Sequence, residues 1–160
     1  AASRIARTTE SRIVIPPLNE TGLLPDGIHD CTLAEVGAQF GAFRGTDRRP
    51  QLWAGFAEFV REAKACGLAE AVIVDGSFVT AKPGPNDIDL LLVVAANYDF
   101  SADFQPSEYN VLSKRRVNRR FGFDLLVARA DSEEYRRYVG FFQQVRLEPG
   151  RKKGILRIRL

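Results

Sequence analysis

Two uninterrupted apolar runs, Ala71–Val74 and Ile88–Val94, constrain this chain more than any other feature. Neither alternates like a half-wet strand, so both are expected as central strands covered on two faces. Helices must then pack above and below a sheet. The connection between the runs is turn-rich, with Gly76-Ser77 at its start and Asp87-Ile88-Asp89 at its end. Nowhere else does the chain gather small, hydroxyl and acidic residues at the ends of buried strands.

The flanking sequence supplies the other elements. Residues 1–12 read as a polar, frayed start, and Ile13-Val14-Ile15 as a short extended piece ended by Pro16-Pro17. Leu18–Ile28, rich in Gly and Pro, is expected as a loop laid over the core. Thr32-Leu33-Ala34-Glu35 fits a capping box opening a helix from about Leu33 to Phe40, which Gly41 stops. Pro50 suits the first turn of a second helix, where Leu52, Trp53, Phe56, Phe59, Val60 and Ala63 form one apolar stripe and Gly67 is the stop. Beyond the loop Tyr98–Gln105, Pro106-Ser107-Glu108 starts a helix over Tyr109–Asn118. Phe121–Ala128 predicts a third strand with Asp124 embedded in it. Ser132-Glu133-Glu134 opens a helix to about Gln144, burying Tyr135, Tyr138, Val139 and Phe142. Gly154–Leu160 alternates apolar and basic residues, as an edge strand with one wet face would.

These elements predict an α/β (α+β) fold, a small mixed sheet of about four to five strands with helices packed on it. A single domain over 1–160 is expected, with 1–45 as an arm and short helix laid on a core of 46–160. At 45% hydrophobic and 27% charged the chain has an ordinary globular composition, and no apolar run approaches a membrane helix. The stretch AASRIARTTESR lacks the apolar centre of an intact secretory signal. Cys31 and Cys66 have no partner-like spacing and suggest reduced thiols of a cytoplasmic protein.

Candidate chemistry narrows by elimination. With His29 as the sole histidine, neither a Ser-His-Asp triad nor a His-rich zinc site can be assembled. Carboxylates, hydroxyls, backbone dipoles and a metal ion remain. Asp87 and Asp89, two residues apart at the start of a strand, point to the same side, and carboxylates side by side repel unless a cation sits between them. Magnesium, a hard ion that prefers oxygen ligands, resolves that conflict. Asp124 interrupts an otherwise apolar strand, so its charge needs a partner or a task. If the strands from Ile88 and Phe121 are neighbours, three carboxylates meet at one sheet face, a layout suited to two-metal phosphoryl transfer. Gly76 permits close approach of a ligand, Ser77 and free amides can meet phosphate oxygens, and Lys82 could neutralise one.

Each feature has a plainer explanation. Gly-Ser pairs are common in loops, Asn86-Asp87 could cap a turn, and Asp124 could pair with Arg119 or Arg120. Two basic clusters, Lys114/Arg115/Arg116/Arg119/Arg120 and Arg151/Lys152/Lys153/Arg157/Arg159, suit phosphate-bearing ligands, but solvated faces explain most of them.

Taken in order, Gly76-Ser77, Asp87-Ile88-Asp89 and Asp124 resemble the motif of the DNA polymerase β-like nucleotidyltransferase superfamily, most of all its small minimal nucleotidyltransferases. The phrases LLPDGIHDCTLAEV, DGSFVTAKPGPNDID and RKKGILRIRL also resemble a prokaryotic family expected to have the nucleotidyltransferase fold. The resemblance implies an enzyme that moves a nucleoside monophosphate from a nucleoside triphosphate such as ATP to an acceptor hydroxyl on a protein, an RNA end or a small molecule. It assigns Gly76 and Ser77 to the β- and γ-phosphates, and Asp87 and Asp89 to magnesium, with two ions expected. Asp124 would complete the metal site and orient or deprotonate the acceptor. A role in toxin–antitoxin or defence systems is also implied. Phe78-Val79-Thr80 depart from the motif, whose minimal members carry a basic residue there. A partner chain or homo-oligomer is expected to help bind base or acceptor. A nucleotidyltransferase-fold binding subunit without catalysis is the rival, and a metal-dependent nuclease or phosphatase a weaker third.

Overall fold

The computed structural model describes residues 15–160. Residues 1–12 and the Ile13-Val14 part of the expected extended piece lie outside the described residues. The strands are β1 (Gly27–Asp30), β2 (Ala69–Asp75), β3 (Asp89–Val94), β4 (Asp124–Arg129) and β5 (Gly154–Arg159). The helices are α1 (Leu33–Phe40), α2 (Arg48–Cys66), α3 (Pro106–Leu112), α4 (Lys114–Phe121) and α5 (Glu133–Phe142). The strands form one mixed sheet in the order β1-β5-β2-β3-β4. β2 runs antiparallel to both neighbours, whereas β1–β5 and β3–β4 are parallel pairs. The expected small mixed sheet with packed helices is the fold observed.

The two faces follow from the period-two alternation of strand side chains. Val72, Val74, Leu90, Leu92, Val94, Leu125, Leu156 and Ile158 pack with the buried stripes of α1–α4. Ala71, Ile73, Leu91, Val93, Ala128 and Ile155 pack instead against Val139 and Phe142 of α5. Among the described residues, four helices therefore cover one face and a single short helix covers the other. That imbalance leaves room at one end of the α5 face.

Local sequence explains the helices. The Thr32 hydroxyl accepts from the Glu35 amide at 3.2 Å, completing the capping box of α1. Gly67, at φ 71°, ends α2 in a left-handed conformation that suits glycine.

Several expectations need correction. The segment Tyr109–Asn118 is not one helix: Ser113 adopts extended backbone and caps α4, its hydroxyl accepting from the Arg116 amide at 3.2 Å. Phe121 ends α4 rather than starting a strand, because Gly122 turns left-handed at φ 76° and delays β4 to Asp124. Tyr135 and Tyr138 are only partly buried. The end of the supposed loop Leu18–Ile28 enters the sheet as β1, whose residues Gly-Ile-His-Asp carry no strand pattern of their own. Pairing with β5 makes it a strand, fastened by Arg157, which donates to both oxygens of Asp30 at 2.6 and 2.9 Å. β5 is accordingly interior, not an edge, and its Arg157 is a strand-to-strand clasp. Cys31 and Cys66 are both free thiols, and burial pushes the Cys31 thiol up to about 12.

Candidate active site

Strand register brings the acids together. Asp75 pairs with Asp89 and Asp89 with Asp124, so three adjacent strands each place an aspartate at the same level. Because residues 71, 73, 91, 93 and 128 lie on the α5 face, alternation puts all three aspartates on that face too. Like charges directly opposite one another oppose strand pairing. The row is tolerated because the core of the same strands supplies the stability.

Asp87 joins this row from the β2–β3 connection. The Ser77 hydroxyl donates to Asp87 Oδ1 at 2.8 Å, and the Ser77 amide to the same oxygen at 3.3 Å. The Asn86 amide donates back to the Ser77 hydroxyl oxygen at 3.1 Å. Gly76 is required where the chain leaves β2. Its φ is 93°, and a Cβ there would stand 3.1 Å from the Asp89 nitrogen and 3.2 Å from the Asp87 carbonyl oxygen.

The start of α2 fastens the connection from outside. The Arg49 guanidinium is buried and donates to the carbonyls of Phe40, Phe78, Thr80 and Lys82. Arg48 donates to the carbonyls of Pro85 at 3.2 Å and Asn86 at 2.7 Å. Two consecutive arginines thus hold both halves of the loop between Gly76 and Asp87. The sequence reading singled out neither.

The uncovered end of the α5 face is a cavity of about 790 Å³. Asp75, Asp87, Asp89 and Asp124 line it together with Phe141, Phe142 and residues 144–150. Lys153 reaches in beside them, its Nζ 2.9 Å from Asp75 Oδ1 but too oblique for a regular hydrogen bond. Burial, then repulsion from Asp87, Asp75 and Asp124, pushes the Asp89 carboxyl up to about 6, with Lys153 opposing. Burial also raises Asp75 above the usual carboxylate range, against the pull of Lys153.

Of the residues selected from sequence, the fold gathers Asp87, Asp89 and Asp124 at the cavity and sets Gly76 and Ser77 immediately behind Asp87. Asp124 opens β4 rather than lying inside it, and its carboxylate is exposed; Arg120 pairs with Glu58 and Glu62 instead. Lys82 is not brought in. It is exposed on the far part of the loop, and its backbone alone is engaged, the carbonyl by Arg49 and the amide by the Thr80 hydroxyl. Lys153 holds the cationic place at the acids. Sequence reasoning missed Asp75 as well, although an acid closing the apolar run Ala71–Val74 was a visible signal. Among the described residues, no three His, Cys, Asp or Glu side chains are yet gathered tightly around one point. His29 lies elsewhere, a ring nitrogen 2.6 Å from the Pro25 carbonyl.

A family model described as "Family of unknown function (DUF6932)" matches residues 16–159. No curated protein and no solved structure matches the chain. Among the described residues, no helix is long and apolar enough to cross a membrane.

Proposed function

The chain belongs to the DUF6932 family, and we propose that it is a magnesium-dependent nucleotidyltransferase that moves a nucleoside monophosphate from a triphosphate to an acceptor hydroxyl. One observation carries the reading: Asp75, Asp89 and Asp124 stand in register across three strands, with Asp87 beside them, on the wall of a nucleotide-sized cavity. The donors fit magnesium. They are all carboxylate oxygens, the four aspartates have Lys153 as their one paired cation among the described residues, and Asp89 is destabilised as an anion until more positive charge arrives. Asp87, Asp89 and Asp124 would hold the metal, which when bound supplies charge against the triphosphate and acidifies the acceptor hydroxyl.

The chain's own groups account for the remaining chemistry. Ser77 aims Asp87, and its hydroxyl can turn about one bond to meet a phosphate oxygen. Gly76 keeps the crossing free of a side chain. Lys153 replaces Lys82 as the cation for the phosphates. Asp124, exposed at the open side, accepts the acceptor's proton. The acceptor oxygen then bonds to the α-phosphorus, the bond from that phosphorus to the bridging oxygen breaks, and pyrophosphate leaves. Exposed Lys114, Arg115, Arg116 and Arg119 on α4, just before β4, favour a phosphate-rich acceptor such as an RNA end.

A second reading, a binding subunit without catalysis, draws on the acids not yet converging on one point. One experiment separates the two. The protein is incubated with magnesium, each labelled nucleoside triphosphate, and cell RNA or protein extract. Pyrophosphate release with label transfer, lost in Asp87→Asn plus Asp89→Asn, is the expected result; tight binding without transfer in any extract supports the second reading.

A further inference from the structure

The cavity lining also holds apolar side chains whose chemistry the carboxylates do not use. Phe141 and Leu147 are 66% and 95% exposed, two of the three large hydrophobic side chains about two-thirds exposed or more among the described residues, and both line this cavity. Leu147 is held there against two penalties. Its side chain stands in water, and its φ of 66° is left-handed, which an L side chain with Cβ resists.

The loop that holds it is well built. The Val145 amide donates to the Arg151 carbonyl at 3.0 Å, and the Lys153 amide to the Gln143 carbonyl at 2.8 Å. Arg151 pairs with Glu148 at 2.7 Å and donates to the Thr21 hydroxyl at 2.7 Å. The same hairpin that presents Leu147 outward therefore delivers Lys153 to Asp75.

We propose that Phe141 and Leu147 form the platform for the nucleobase of the nucleotide whose phosphates face the aspartates. This rests on the nucleotidyltransferase reading and adds a base site within this one chain. A nucleotide is charged at one end and flat and weakly polar at the other, and the cavity lining holds groups for both: the aspartates, Lys153, Arg146 and Glu148 for the charged part, and the Phe141 ring with the Leu147 side chain for the flat part. An aromatic face stacks on any base, because every base has a π-face, so the site takes all four nucleotides, with the larger purines held more tightly.

Binding is measured by calorimetry on the full chain with magnesium and ATP, UTP or inorganic tripolyphosphate. Phe141→Ala is expected to weaken ATP about ten-fold and UTP less, leaving tripolyphosphate unchanged. Leu147→Gly is expected to weaken both nucleotides while the melting temperature holds or rises, since glycine suits φ 66°. Unchanged nucleotide affinity in both variants overturns the platform and leaves the proposed function standing. An equal loss for tripolyphosphate also overturns it, since the rim would then act on phosphate. If neither nucleotide nor tripolyphosphate binds the unmodified protein, the nucleotidyltransferase reading falls, and the platform with it.

Discussion

Arg49 and Asp75 are the two buried charged side chains among the described residues, 1% and 5% exposed, and they are kept in opposite ways. Arg49 sits in a cage of neutral acceptors, four carbonyls drawn from α1 and from the loop that follows β2. Only its Nε lacks a partner. Asp75 sits among its own kind, with one ammonium opposing burial and the nearby charge of Asp87. The contrast separates two uses of a buried charge. A charge buried for structure has most of its donors met by neutral acceptors; a charge held among like charges beside a cavity is a candidate place for something else to bind.

Breaking the Arg49 cage should cost most. Arg49→Ala orphans the four carbonyls and is expected to destabilise the fold by about 3–5 kcal/mol in chemical denaturation. Arg49→Lys should recover less than half of that, since an ammonium has three donors and no planar fork.

On the other side the largest effect should be on rate, not stability. Asp124→Asn is expected to lower label transfer about 100-fold or more, while the exposed position keeps the denaturation midpoint nearly unchanged. A collapse in stability would mean that the acid serves the fold, as Arg49 does.

Asp89 sharpens the comparison through pH. Its carboxyl is raised from 3.8 to about 6, so the folded state holds the proton longer than the unfolded state. Stability is therefore expected to fall as pH rises across that window. Asp89→Asn should raise the melting temperature by about 2–4 °C at pH 7 and by almost nothing at pH 4. Magnesium should raise the wild-type value more at pH 7 than at pH 5, and the variant's hardly at all. A lower melting temperature for Asp89→Asn at pH 7 would contradict the assignment of strain to the acid row.

The smallest effect is expected at the sheet's other end. Asp30 is held below the usual carboxylate range, first by its hydrogen bond from Arg157, so its contribution is present at neutral pH and fades as pH falls. Being partly exposed, Asp30→Asn should cost under about 1 kcal/mol at pH 7 by thermal melts, with the gap closing in acid.

Much of this was legible in one dimension. Capping boxes, the glycine stop of α2 and its apolar stripe act within a turn or two, so α1 and α2 follow directly from local chemistry. The runs leading to β2 and β3 declare themselves because both faces are covered. Gly76, Ser77, Asp87 and Asp89 were visible since the site needs them close in sequence as well as in space. Elements made by pairing were hidden. β1 is a strand only because β5 lies beside it, and β5 is interior only because β1 covers it.

What the sequence alone determined, then, is the sheet's centre, its covering helices and the Gly-Ser and Asp-Ile-Asp turn between two buried strands. Local sterics, caps and side-chain period decide those. Only the tertiary structure decided that Asp75 stands opposite Asp89, that Asp124 completes the row, and that Lys153 rather than Lys82 reaches the acids. Those relations span from fourteen to seventy-eight positions along the chain, as Asp75–Asp89 and Asp75–Lys153 show. They are set by strand register, which hydrogen-bond ladders and the packing of both sheet faces choose together.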